Sequence, residues 1–85
     1  MNRNRLLRRL SQGSVNNVAF RDFTDLIEGF GFEFDHIIGN HHMYRHPTVG
    51  QRMNVLPVRG EAKPYQGRQF LRLVEQHQLR LDDDE

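Results

Sequence analysis

Residues 32–46 read FEFDHIIGNHHMYRH, and this stretch decides the fold. In its first part Phe32 and Phe34 alternate with acidic residues, which is typical of a strand with one buried face. Gly39 and Asn40 then favour a tight two-residue turn. Because such a turn reverses the chain, the residues that follow should form a second strand beside the first. The stretch therefore predicts a β-hairpin.

A third strand is expected to extend this hairpin. Residues 47–50, PTVG, predict a second turn, and Arg52 to Val58 predict the strand after it. Three short strands joined by tight turns make an antiparallel meander.

Helices are predicted on both sides of the meander. An apolar stripe at helical spacing predicts a helix from Arg21 to Phe30; its members are Phe20, Phe23, Ile27 and Phe30. Pro64 is well placed as the first residue of a later helix, which should end between Gln76 and Gln78. Residues 1–12 carry Leu6, Leu7 and Leu10 among arginines, and this pattern fits either a short amphipathic helix or a loose basic arm.

The predicted order is α-β-β-β-α, with an extra N-terminal helix as one option. Helices packed on one face of a three-stranded antiparallel sheet give an α+β fold. We expect residues 1–17 to be a basic N-terminal extension, residues 18–81 to form the domain, and residues 82–85 to be an acidic tail. With 85 residues, the chain has room for one domain.

The composition limits the kind of site the chain can carry. There is no cysteine, which excludes disulfide scaffolds, thiolate metal sites and cysteine nucleophiles. No apolar run approaches the roughly 20 residues that span a bilayer, and no signal-peptide pattern is present. These features lead us to expect a cytoplasmic protein.

Charge is unevenly distributed along the chain. The four acidic residues 82–85 offset a body with 12 basic and 7 acidic residues, and eleven of the basic ones are arginine. Arginine suits phosphate better than lysine does because its planar guanidinium can donate two parallel hydrogen bonds. This balance fits a polyanionic ligand, although an ordinary solvated surface explains it as well.

His41, His42 and His46 form the main candidate site. Histidine can take up and release a proton near neutral pH, and the nearby Arg45 and Arg52 could bind phosphate. RNA cleavage needs little more than this, because the ribose 2′-hydroxyl is itself the nucleophile. One histidine in a basic groove would suffice, without a metal or another cofactor.

Metal binding is the alternative function for a histidine cluster, and strand geometry disfavours it. His42 and His46 would share one face of a strand but stand about 13 Å apart at roughly 3.3 Å per residue. His41 would point to the opposite face. A plain structural role is the other alternative, and we assign it to His36 and His77.

The segment from Gly39 to Pro47, GNHHMYRHP, resembles the signature of the HicA (YcfA-like) mRNA interferase toxins. That signature runs glycine, serine, histidine, histidine, aliphatic, aromatic, basic, histidine, proline. Residues 23–33, 53–57 and 62–69 resemble neighbouring elements of the same family, so the similarity covers about residues 18–78. Asn40 departs from the pattern, because the family usually has serine there.

This resemblance implies a fold like that of double-stranded-RNA-binding domains, metal-independent cleavage of mRNA and inhibition by a HicB-type antitoxin. It implies that His41 is the catalytic general acid or base, supported by the turn at Gly39 and Asn40. We expect RNA contacts from a wider set of side chains: Arg45, Arg52, His42, His46 and Lys63. The alternative is a non-catalytic RNA-binding module or an inactive toxin homologue, which has the same fold but does not cleave RNA.

Overall fold

The computed structural model describes residues 2–82, and it is an α+β fold with three helices and two three-stranded antiparallel sheets. The helices are α1 (Arg3–Ser11), α2 (Phe20–Gly29) and α3 (Pro64–His77). The strands are β1 (Val18–Ala19), β2 (Glu33–Ile38), β3 (His41–His46), β4 (Val49–Val55), β5 (Pro57–Val58) and β6 (Glu61–Ala62). Residues 83–85 of the predicted acidic tail lie outside the described part.

The N-terminal segment is a helix and not a loose arm. Leu6 and Leu10 of α1 are buried in the common core. The side chain of Asn2 accepts a hydrogen bond from the backbone N–H of Arg5 and so caps the helix. Arg3 makes a two-bond ion pair with Asp25 of α2. The arginines of this segment therefore belong to a helix that is part of the fold.

The core lies between the helices and one face of the sheet formed by β2, β3 and β4, which is the larger of the two sheets. Phe70 of α3 is its centre, with edge-to-face ring contacts to Phe23 at 5.9 Å and to Phe30 at 5.2 Å between centroids. Met53 and Val55 of β4 are fully buried beneath the same helices. The predicted bounds of α2 and α3 are confirmed to within one residue at all four ends.

Strands β2, β3 and β4 form the predicted meander, in that spatial order. Ile38 pairs with His41 across the Gly39–Asn40 turn. Gly39 has a φ of +61°, and glycine at the first turn position with φ above zero is the pattern of a type II′ hairpin turn. Asp35 is an extra residue in β2, since the register shifts between Phe34 and His36.

The third strand differs from its predicted bounds. It begins at Val49, because His46 already pairs with that residue, and it ends at Val55. The predicted turn over residues 47–50 is therefore only Pro47 and Thr48. Pro57 and Val58 belong instead to the second sheet, whose strands are ordered β1-β6-β5. Sequence periodicity missed this sheet because each strand has only two residues.

No helix in residues 2–82 combines the length and the apolar character that crossing a bilayer requires.

Candidate active site

The larger sheet has one face against the helices and one face that is open. On β3, His42, Tyr44 and His46 point toward the helices, and Tyr44 is buried. Successive strand residues point to opposite faces, so His41 and Arg45 lie on the other side, where both are exposed. We call that side the open face; its described residues include His36, Ile38, His41, Met43, Arg45, Arg52 and Asn54.

His41 is the first residue of β3 and has one ring nitrogen fixed. Its Nδ1 lies 2.9 Å from Oδ1 of Asn54 on β4. Because that amide oxygen can only accept, Nδ1 is the donor in this pair, and in the neutral ring the lone pair lies on Nε2. An exposed imidazole held in this tautomer can remove a proton from a bound molecule. The structure therefore leaves one ring nitrogen of His41 available to a bound molecule, and the catalytic role of His41 stays a prediction.

Asn54 was not singled out from the sequence. Its position is set by pairing with Met43 and by the bond that the buried Gln66 amide makes to its backbone carbonyl, at 2.6 Å. A single asparagine in a strand carries no sequence signal of this role.

His42 packs between the sheet and the start of α2. Its ring meets Phe20 edge to face at 4.8 Å and lies 6.4 Å from Phe34. Nδ1 is 3.2 Å from the backbone carbonyl of Asn40, to which it donates. This half-buried ring supports the hairpin turn, and its predicted contact with RNA stays a prediction.

His46 has both ring nitrogens occupied inside the chain. Nε2 donates to the backbone carbonyl of Phe30 at 2.9 Å, and Nδ1 accepts from the backbone N–H of Thr48 at 3.2 Å. The ring also packs edge to face on Phe32 at 5.0 Å. An RNA contact through a ring nitrogen of His46 would have to replace one of these bonds.

Gly31 makes room for His46. A Cβ at this position would lie 2.7 Å from Nε2 of His46, which is closer than atoms pack. The backbone of Gly31 also has a φ of +98°, which favours glycine. The glycine after α2 and the last histidine of β3 therefore fit together as one structural unit.

The two predicted phosphate-binding arginines lie on the open face and already face carboxylates. Arg52 Nη1 is 2.8 Å from Oδ2 of Asp35, so a strand-β4 side chain reaches across β3 to β2. Arg45 Nε is 3.8 Å from Oε1 of Glu33, and both of these side chains are more than half exposed. Exposed pairs of this kind are weak, so phosphate can compete for either guanidinium.

Asp35 joins Arg52 to His36. The same Oδ2 lies 3.2 Å from Nδ1 of His36. The hydrogen bond from Arg52 lowers the pKa of the Asp35 carboxyl, partial burial opposes this, and His36 lowers it further. Asp35 is therefore charged at neutral pH. From its sequence position His36 was expected to have a plain structural role, and its pairing with Asp35 was not predicted.

Lys63 lies apart from the open face. It borders a cleft of about 490 Å³ beside the β5–β6 hairpin. The other residues around this cleft include Asn17, Arg59 and Glu61. The structure thus puts His41, Arg45 and Arg52 on one face of the larger sheet, and Lys63 lies elsewhere, beside the β5–β6 hairpin.

Tyr44 does not compete with the histidines as a proton-transfer group. Burial raises the pKa of its hydroxyl, and the nearby Glu28 carboxylate raises it further. Its phenol therefore stays protonated near neutral pH.

Within residues 2–82, no three side chains of the usual metal-binding types are grouped to hold a metal ion. Comparisons with protein-family models, with curated proteins and with solved structures return no significant match for this chain.

Proposed function

We propose that this chain is a metal-independent endoribonuclease in which His41 takes the proton of the RNA 2′-hydroxyl. The observation that carries the proposal is the His41–Asn54 pair on the open face. It leaves one basic nitrogen exposed, with the cations Arg45 and Arg52 on the same surface. The deprotonated oxygen then attacks the adjacent phosphate, and an arginine stabilises the negative charge that develops.

The resemblance of residues 39–47 to HicA toxins supports the same reading and extends it. On that basis the chain is the toxin of a type II toxin–antitoxin system, acts on mRNA in the cytoplasm and has a fold like that of double-stranded-RNA-binding domains. The order of α2, the meander and α3 is compatible with that fold.

A HicB-type antitoxin is the proposed protein partner. Strand β2 lies at an edge of its sheet and exposes Phe34, Ile37 and Ile38 to about half or more of their surface. Large exposed apolar side chains beside unpaired strand edges are surfaces that protein partners cover. A partner seated there would also lie next to His41, which pairs with Ile38.

The proposal is tested by inducing the chain alone and following growth and RNA integrity. The purified protein should cleave RNA in the presence of a metal chelator and leave 2′,3′-cyclic phosphate ends. His41→Ala should reduce cleavage by about 10²–10⁴-fold, the usual contribution of an acid–base residue. His77→Ala is the matched control, because this exposed histidine ends α3 and should leave the rate unchanged.

Equal cleavage by wild type and His41→Ala would refute the role of His41. Binding of labelled RNA without any cleavage would favour the non-catalytic RNA-binding alternative. Co-expression with a HicB-like reading frame next to this one should restore growth and give a stable complex.

A further inference from the structure

A second histidine lies on the open face near His41. Across the hairpin, Ile38 pairs with His41 and His36 pairs with Met43. These four residues share a face, with the two histidines at the ends of a diagonal. Diagonal neighbours in an antiparallel pair are separated by about 7–8 Å. A phosphodiester can lie between two side chains at that spacing and contact both.

The Gly39–Asn40 turn gives His36 this position, because the continuous register from the Ile38–His41 pair brings His36 opposite Met43. Phe34 pairs with the helix-facing Tyr44, so without the extra residue Asp35 the next even-numbered residue would also face the helices. The bulge at Asp35 thus lets Phe34 face the helices while His36 lies on the open face. There His36 Nδ1 donates to Oδ2 of Asp35 at 3.2 Å, and its side chain is 47% exposed. Its Nε2 is thus directed away from the carboxylate.

We propose that His36 is a second catalytic residue, the general acid that protonates the leaving 5′ oxygen during RNA cleavage. This inference rests on the proposed function, in which His41 is the base. His36 contacts Asp35 on its own strand, and it shares the open face with Arg52 of β4 and His41 of β3.

The two histidines have different partners, and the partners suit different roles. A neutral amide, Asn54, fixes the tautomer of His41 without adding charge, which suits a base that starts uncharged. A carboxylate, Asp35, accepts a hydrogen bond from Nδ1 of His36 and so orients the ring with Nε2 pointing away, where it can pass a proton to a leaving oxygen. Arg52 donates to the same Oδ2 of Asp35 and so helps to hold that carboxylate beside His36.

The reaction balances with these two groups alone. Nε2 of His41 takes the 2′-hydroxyl proton, and the 2′ oxygen forms a bond to phosphorus. The bond from phosphorus to the 5′ oxygen breaks, and that oxygen takes a proton from Nε2 of His36. The products are a 2′,3′-cyclic phosphate and a free 5′-hydroxyl. His41 is then protonated and His36 neutral, and exchange with water restores both.

The test compares two substrates that differ only in the leaving group. One is a short RNA, whose leaving alkoxide needs a proton. The other is a nucleoside 3′-(p-nitrophenyl phosphate) with the base found 5′ to the cleaved bond, whose leaving group is stable without a proton. His36→Ala should lower RNA cleavage by about 10²–10⁴-fold and change p-nitrophenol release by only a few-fold. His41→Ala should lower both.

Circular dichroism of each variant, with His77→Ala as control, verifies that the fold is kept. Equal rates for wild type and His36→Ala on RNA, or equal losses on both substrates, would overturn the role of His36 while leaving the proposed function intact. If the wild-type protein cleaves neither substrate, the proposed function fails and this inference fails with it.

Discussion

Strand β3 carries histidines on both of its faces, and their surroundings differ. On the helix side, His46 has both ring nitrogens in hydrogen bonds to the chain and packs against Phe32. On the open side, His41 has one nitrogen fixed by Asn54 and the other exposed. A cluster of histidines in a sequence therefore does not mark a site by itself. The face on which each one lies, and the partners it meets there, decide what it can do.

Gly31→Ala should give the largest effect on stability, because it disrupts the packing on the helix-facing side of the sheet. The added methyl meets Nε2 of His46 and the backbone has a positive φ. Together these should cost about 2–4 kcal/mol in the free energy of unfolding, measured by urea denaturation.

Gly50→Ala is the matched control, since no neighbouring atom lies within 4 Å of an added methyl there. Its effect should be below about 1 kcal/mol. In a His46→Ala background, Gly31→Ala should cost less than it does in the wild type. Strict additivity would show that the glycine and the histidine are not coupled.

Asn54→Ala should give the next effect, and it should act on the open face alone. Without the amide oxygen, the His41 ring loses its fixed tautomer and orientation. We expect the rate of RNA cleavage to fall by about 10–100-fold. Losses of this size are typical when the hydrogen-bond partner of a functional histidine's other ring nitrogen is removed. The unfolding midpoint should change little, because Asn54 is exposed.

Gln51→Ala, at another exposed position of β4, provides the control for Asn54→Ala. A variant that keeps full activity without the Asn54 amide would mean that His41 is positioned by some other group.

Asp35→Asn should give the smallest effect on stability, a change in how the free energy of unfolding depends on pH. Arg52 lowers the pKa of Asp35 in the folded chain below its ordinary value of 3.8. Its contribution to stability is therefore present above about pH 4 and is lost as the pH falls through the lower, folded pKa. Urea midpoints should differ slightly between the variant and wild type at pH 7 and converge near pH 2. Parallel curves over that range would contradict this assignment.

Periodicity predicted the long elements well, and the register of the β2–β3 hairpin could also be predicted from the sequence. Helices α2 and α3 carry clear apolar stripes, and Gly39–Asn40 fixes the turn between β2 and β3. A two-residue turn already implies that Ile38 faces His41 and that His36 faces Met43. The proximity of His36 to His41 could thus have been derived from the sequence, although His36 was assigned a structural role.

Other features depended on tertiary contacts that leave no local pattern. The partnership of His41 with Asn54 requires the register between β3 and β4, which an irregularity between Tyr44 and His46 shifts. The pairing of β1 with β6 joins dipeptides that are far apart in the chain. Neither turn chemistry nor alternation specifies such contacts.

The bulge at Asp35 has a second consequence, for how the protein behaves at high concentration. Strand β2 is a free edge with exposed Ile37 and Ile38, the kind of surface on which copies of a chain can stack into aggregates. Asp35 adds an extra, charged residue near the middle of β2 and distorts this edge. Another strand therefore cannot pair along the full length of β2. The residue that orients His36 thereby also helps to keep copies of the chain apart.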